Sequence, residues 1–255
     1  MNRPCKELKR ISRENLTGQY RIPMGALLVS WIIPQVIELP FSMAVGEHPT
    51  LFQNITLYAA EFLIALVSFV LTAGIAVIHL NIARKKEVAL GMVLCGFKEH
   101  ADRFILAGIF RMLAVLLGML PFLIGYAIHR LFFNLNYILL GILLVISIAI
   151  TIFFLLNLFL VLYLVIDRPE LSVWCCVKNS MQSMRTHKKR LFYTYLSFLS
   201  LVLLCVLSMG IGILWVQPYQ EQTLVNFYLD VTGQLPTSTQ AAPGSAEYRT
   251  FQEYI

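Results

Sequence analysis

Charge is scarce in this sequence: only 13% of its 255 residues are Asp, Glu, Lys or Arg, about half the roughly 25% of a soluble globular domain. With 58% hydrophobic residues and a mean hydropathy of +0.73, a water-soluble fold of this length could not enclose its apolar surface, and lipid has to take the excess. Catalytic motifs are missing as well. There is no His-Glu-x-x-His, no phosphate-binding Gly loop and no Gly-x-Ser-x-Gly elbow, so the chain reads as a non-enzyme with no cofactor and no metal site. None of the five cysteines forms a Cys-x-x-Cys pair. Cys175 and Cys176 are adjacent, but neighbouring helical residues point about 100° apart, and they read as two small apolar surface residues. No nucleic-acid reading motif accompanies the net charge of +6, which excludes nucleic acid as the expected partner.

Long apolar runs take the place of motifs. Six are near the roughly 20 residues needed to cross a bilayer: 24–45, 55–80, 104–128, 137–166, 191–209 and 211–229. The first holds Pro34, Glu38 and Pro40 and is too long for a signal-peptide core, so it reads as a retained span despite the faint cleavage box Ala44-Val45-Gly46. The sixth is the most polar, with Gln217, Pro218, Gln220, Glu221, Gln222 and Asn226. The basic residues fall between these runs, six in 1–23, five in 81–103 and six in 167–190, against none in 46–54 and one in 129–136. This alternation places the amino terminus and all three basic segments in the cytoplasm, in a multi-pass protein of the cell membrane. If Pro218 and the glutamines turned the last run onto the surface, five spans with an outside tail would result.

Each basic segment also carries an apolar stripe. In the first it is Cys5, Leu8 and Ile11, with Gly18 placed to end the helix. In the second it is Leu90, Val93, Leu94 and Phe97. In the third it is Leu171, Trp174, Val177, Met181 and Met184, with Pro169 and Glu170 in the first turn. Such helices lie in the headgroup layer or pack on the protein's own surface. Glu99, His100 and Asp102 read as a solvated helix end rather than a metal site. The pattern suggests three repeat-like units, near 1–83, 84–167 and 168–230, each an amphipathic helix followed by a hairpin of two spans. Together they form one integral membrane domain, 1–230. The segment 231–255 is a polar tail, expected to be disordered over its Gly-, Pro-, Ser- and Thr-rich part.

The carboxy-terminal third carries a more specific signature. The run Asp167-Arg-Pro-Glu-Leu-Ser172 is followed by Met184-Arg-Thr-His-Lys-Lys-Arg-Leu-Phe192, an apolar span, Met209-Gly-Ile-Gly-Ile-Leu-Trp-Val216, Pro218-Tyr219 and Phe227-Tyr-Leu-Asp230. With the opening Glu7-Leu-Lys-Arg and Leu16-Thr-Gly-Gln-Tyr20, this resembles the domain-of-unknown-function 975 family of bacterial integral membrane proteins, over most of residues 6–230. The polar Gln220-Glu-Gln222 and the extended tail depart from the family pattern. The resemblance implies an all-α bundle of six transmembrane helices arranged as three hairpins, and brings no activity with it.

Ionisable groups inside a span cost roughly 2.5–3.5 kcal/mol each at a helix centre and need a reason. They are Glu38, Glu61, His79, Arg111 and Glu221. Glu38 and Glu61 fall at similar depth in the first hairpin, where two carboxylates could share a proton or hold a cation, or could separately reach the outer headgroups. Arg111 and Glu221 are candidates for an intramembrane ion pair, with snorkelling as the other reading of Arg111. Two functional readings follow. One is a non-enzymatic scaffold or accessory component whose basic helices meet anionic headgroups or a membrane protein partner. The other is a small-solute transporter or lipid-handling protein using Glu38, Glu61 and Glu221.

Overall fold

In a computed structural model of the chain, residues 3–43, 50–98, 101–132 and 136–235 are described, and every regular element among them is helical. Local chemistry sets where the helices start. α1 (Cys5–Leu16) follows Pro4. α2 (Arg21–Met43) begins just after the turn at Gly18, whose φ of +83° suits glycine. α3 (Leu51–Ala83) opens on a capping box between Thr50 and Gln53. After a 3₁₀ turn at Leu90–Leu94 and the single turn α4 (Cys95–Lys98), α5 spans Ala101–Phe132. Asn136 caps α6 (Tyr137–Leu158), which runs almost directly into α7 (Val161–Asp167). Ser172 caps α8 (Val173–Leu196), followed by α9 (Leu199–Leu207) and α10 (Ile213–Val231).

The ends of α3, α9 and α10 share one closure. An amide reaches back five residues (Lys86 to Asn81, Gly210 to Cys205, Gln234 to Leu229) and its predecessor reaches back three. The left-handed position in these Schellman turns is held by Lys85, Met209 and Gly233.

Five stretches are long and apolar enough to cross a membrane: Arg21–Met43, Leu51–Ala83, Ala101–Leu131, Tyr137–Asp167 and Val173–Leu207. Their outward faces carry exposed Leu, Ile, Val and Phe, as a lipid-facing surface requires. α10 is different. It has 19 residues and is too polar to count among the five. It lies inside the bundle against α1, α2, α3, α8 and α9, and Gln222 through Asp230 are all buried. The run that read as the weakest span is thus the most enclosed helix, because a polar helix is tolerated only where protein surrounds it.

The three basic segments fare unequally. α1 buries Cys5, Leu8, Ser12 and Leu16 and packs on α10, α3 and α8, so its stripe faces the protein's own core. The second segment does not form the expected amphipathic helix. It is irregular to Ala89, then a short 3₁₀ turn with Val93 buried and the single turn α4, and Leu90, Leu94 and, in α4, Phe97 are 44–46% exposed. Gly74 of α3 and Gly96 explain the tightness. A Cβ on Gly74 would come within 2.8 Å of Val93 Cα, and one on Gly96 within 2.9 Å of the Val70 carbonyl oxygen. In the third segment the buried face is Val173, Cys176, Val177, Ser180 and Met184, and Trp174 and Met181 are half-exposed. Pro169 and Glu170 precede the helix instead of starting it, and Cys176 is buried where Cys175 is exposed. The helix also continues without a break through 191 into the fifth long stretch.

Beyond Asp230 the described chain still meets the bundle, although Gly233 and Gln234 are exposed. Gln234 bonds Arg84, and Leu235 is 8% exposed. The rest of the expected tail, 236–255, lies outside the described residues, as do Glu99, His100 and Ala44-Val45-Gly46.

α5 and α6 form the most extensive helix pair, and Pro121 lies inside α5. The Phe122 amide donates to Ser147 Oγ at 2.9 Å, across the pair. The close approach is set by Gly118, where a Cβ would meet Thr151 Oγ1 and lie 2.7 Å from Thr151 Cα. Gly118→Ala should therefore lower stability by about 1–3 kcal/mol, the usual cost of overpacking. Gly141→Ala, where an added Cβ meets nothing within 4 Å, should be neutral or stabilise by up to about 1 kcal/mol through helix propensity. Reversible unfolding of the two variants in mixed micelles measures the difference, and equal stabilities would remove the close-packing argument.

Candidate functional site: the polar faces of α10

A buried polar group without a partner costs about 1–3 kcal/mol, so the polar residues of α10 have to be matched by the helices around them. Gln222, Asn226 and Asp230 recur every four residues and share one face. Gln222 and His79 of α3 form a reciprocal pair. The imidazole Nδ1–H donates to Gln222 Oε1 at 2.8 Å, and Gln222 Nε2 donates to the His79 carbonyl at 3.3 Å. One turn on, Asn226 Nδ2 donates to Ser12 Oγ at 2.8 Å, and Ser12 passes its own hydrogen to the Leu8 carbonyl at 2.7 Å. Asn15 Nδ2 reaches Asn226 Oδ1 at 3.5 Å.

At the end of α10 the network becomes ionic. Asp230, with its side chain 1% exposed, takes Arg190 of α8 at 2.6 Å. It also accepts the Arg3 backbone amide at 3.3 Å and has Arg3 Nε at 3.9 Å. The Arg190 guanidinium lies 4.5 Å from the centre of the Phe227 ring. Beside it, Asp167 at the end of α7 receives a two-pronged bond from Arg84 at 2.9 and 2.6 Å and the Tyr228 hydroxyl at 2.7 Å. The hydrogen bond to Asp167 raises Arg84 above its ordinary pKa. On α1, Lys9 donates to the Ser197 carbonyl at 2.7 Å and sits 4.0 Å over the Phe198 ring, and burial lowers its pKa. Arg13 Nε donates to the Tyr219 hydroxyl at 3.1 Å.

Of the ionisable residues singled out from sequence, His79 belongs to this network and the other four lie elsewhere. Glu38 is half-buried on α2 and Glu61 exposed on α3, and neither makes a hydrogen bond or ion pair among the described residues. Arg111 is exposed on α5 and Glu221 half-buried on α10. The field of Arg111 reaches Glu221, Tyr163 and Tyr195, but no ion pair within 4 Å joins Arg111 to Glu221. Among the described residues no group of three or more His, Cys, Asp or Glu could hold a metal ion. Sequence reasoning missed the network from Gln222 to Asp230 with its partners Ser12, Arg84, Asp167 and Arg190. The available signal was the four-residue spacing of polar residues in the least apolar run, matched by His79 near the end of the second.

The fold defines an all-α protein whose outer helices are long and apolar enough to cross a membrane and whose inner helix is polar. Residues 1–234 match the family described as "Protein of unknown function (DUF975)", and the chain belongs to that family. No curated protein and no solved structure matches it.

Removing the buried Asp230 takes the carboxylate from Arg190, whose side chain is 17% exposed. Asp230→Ala should cost about 3–5 kcal/mol, and the Asp230→Leu/Arg190→Leu pair should recover much of that loss. Arg10→Ala, which breaks an ion pair on the exposed face of α1, should cost no more than about 0.5 kcal/mol. A double-mutant cycle on detergent unfolding curves reads all three. Additive losses at Asp230 and Arg190 would mean that the pair does not couple.

Proposed function

We propose that the chain is a six-span protein of the bacterial cell membrane, with three hairpins and a cytoplasmic amino terminus, serving as a non-enzymatic scaffold or accessory component. Two features support the topology. The basic counts of six, five and six alternate with near-empty connections, and α10, at about 28 Å by helical rise, is nearly as long as the roughly 30 Å hydrocarbon core. The pairs α2/α3, α5/α6 and α8–α9/α10 are then the hairpins.

One observation carries the scaffold reading. The exposed face of α8 presents Trp174, Lys178, Met181, Arg185 and Lys189 at helical spacing, with Lys178 5.5 Å over the Trp174 ring. Aromatic and basic side chains on one stripe suit the headgroup layer, where the ring sits at the boundary and the cations meet anionic lipid. The same stripe can take an acidic partner. The polar groups at the end of α10, by contrast, are engaged in holding helices together.

Gentle purification from native membranes should retain anionic lipid and a stoichiometric membrane protein partner, both visible by mass spectrometry. A chain isolated with neither would overturn the reading, and a chain alone with a small solute would favour transport. Lys178→Glu, Arg185→Glu and Lys189→Glu together should shed the anionic lipid. Each exposed change should alter stability by no more than about 0.5 kcal/mol. Unchanged lipid retention in this variant would show that α8 is not the surface that reads it.

A further inference from the structure

α10 has a second polar face that is not engaged. Gln217, Gln220 and Glu221 stand at i, i+3 and i+4 and point to one side. They line a cavity of about 150 Å³ between α9 and α10, to which α9 contributes Val202 and Cys205 and α10 adds the apolar Ile213 and Val216. None of the three polar side chains makes a hydrogen bond or ion pair among the described residues. Gln222 and Asn226, on the other polar face of the same helix, are engaged with α3 and α1. The cation whose field reaches Glu221 is Arg111. It stays beyond ion-pair distance, so the carboxylate oxygens are open to a ligand. Counted by helical rise, Glu221 lies about 14 Å from both Gly212 and Asp230, midway along α10.

We propose that this cavity binds a small alkylammonium ion. An ammonium group has three N–H donors, and the site offers three acceptor groups: the Glu221 carboxylate and the amide oxygens of Gln217 and Gln220. The carboxylate balances the charge, and the Val202–Val216 wall takes the short carbon chain. At roughly 30 Å³ per water, the space equals about five water molecules. That suits an amine of two or three carbons and is too large for a bare metal ion to fill. The site goes beyond the scaffold reading and stands or falls without it.

Cys205, lining the cavity and 4% exposed, provides the test. The full chain in lipid nanodiscs is treated with a 2-aminoethyl or a 2-sulfonatoethyl methanethiosulfonate, and labelling at Cys205 is followed by mass spectrometry. Relative to their rates on a free thiol in solution, the cationic reagent should react at least about tenfold faster than the anionic one, the scale of an electrostatically focused site. Ethylammonium chloride should slow the cationic reagent where sodium chloride of equal ionic strength does not. Glu221→Gln should bring the two normalised rates to within about twofold and abolish the protection. Absence of labelling by either reagent, equal normalised rates in the unsubstituted chain, or protection that survives Glu221→Gln would each overturn the proposal. If Glu221→Gln does not fold, Gln220→Leu is read the same way: weaker ethylammonium protection is expected, and unchanged protection counts against the site.

Discussion

The structure depends on enclosing one polar helix. α10 carries glutamines, an asparagine and an aspartate that neither lipid nor a dry core accepts unpaired. The solution is to surround it and to give its neighbours the complementary groups. His79 answers Gln222, Ser12 answers Asn226, and Arg190 with Arg3 answers Asp230. This constraint explains why α1 packs on the bundle. Its buried serine faces α10 between Leu8 and Leu16, so a helix that could have lain in the headgroup layer is pinned by a hydrogen bond and two fully buried leucines. It also explains the division of the surface, since a helix that does not touch α10 closely, such as α6, is free to be almost wholly apolar.

The ionic end of α10 gathers segments that are far apart in sequence. Asp230 joins the start of the chain, the middle of α8 and the end of α10. Asp167 joins the ends of α7 and α3 to Tyr228 and Gln234. Buried ion pairs add little net stability, because desolvation offsets most of their attraction. Their consequence is positional. A two-pronged arginine–carboxylate bond is made in few orientations, so the pair Arg84–Asp167 sets how α3 and α7 end relative to each other. The apolar contacts along the helices, which tolerate sliding, do not set this.

Hydropathy read the outer shell well, because lipid-facing helices must be continuous and apolar, and the long runs found from sequence reappear in the five long stretches. It ranked the last run by apolarity and so placed the most buried helix as the most doubtful span. Four-residue spacing of Gln222, Asn226 and Asp230 was the better guide. The stripes in the basic segments were harder to read, because burial there is decided by neighbours. Trp174 and Met181 fit an apolar face by spacing, yet the side of α8 that meets α6 and α7 is the one with Cys176, Ser180 and Met184. Ser180 is there to donate to the Asn157 carbonyl at 2.6 Å, a requirement invisible in the sequence. The segment around Val93 fits a helical period, but the close approach of backbone at Gly74 and Gly96 leaves room only for a tighter, shorter turn. Of the five ionisable residues chosen for their depth, only His79 is in the network, since depth measures the cost of a charge and says nothing about which partner answers it.

The two faces of α10 therefore carry different physical meanings. On the face with Gln222, Asn226 and Asp230, each side chain bonds a neighbouring segment, and such closure serves rigidity. On the face with Gln217, Gln220 and Glu221, polar groups occur at the same helical spacing in the same enclosed helix and end in open volume. Selection for folding alone would favour apolar residues at these three positions, because an unmatched polar group next to apolar walls costs stability and an isosteric leucine would not. Polar groups kept where the fold does not use them have to be satisfied by something outside the fold. At a minimum that is water, and a carboxylate flanked by two amides is better matched by a cation with hydrogens to donate. The closed face holds the open one in place. Because Gln222 is locked to His79, the backbone at Glu221 cannot rotate away, and the acceptors remain presented to the cavity whether or not it is filled.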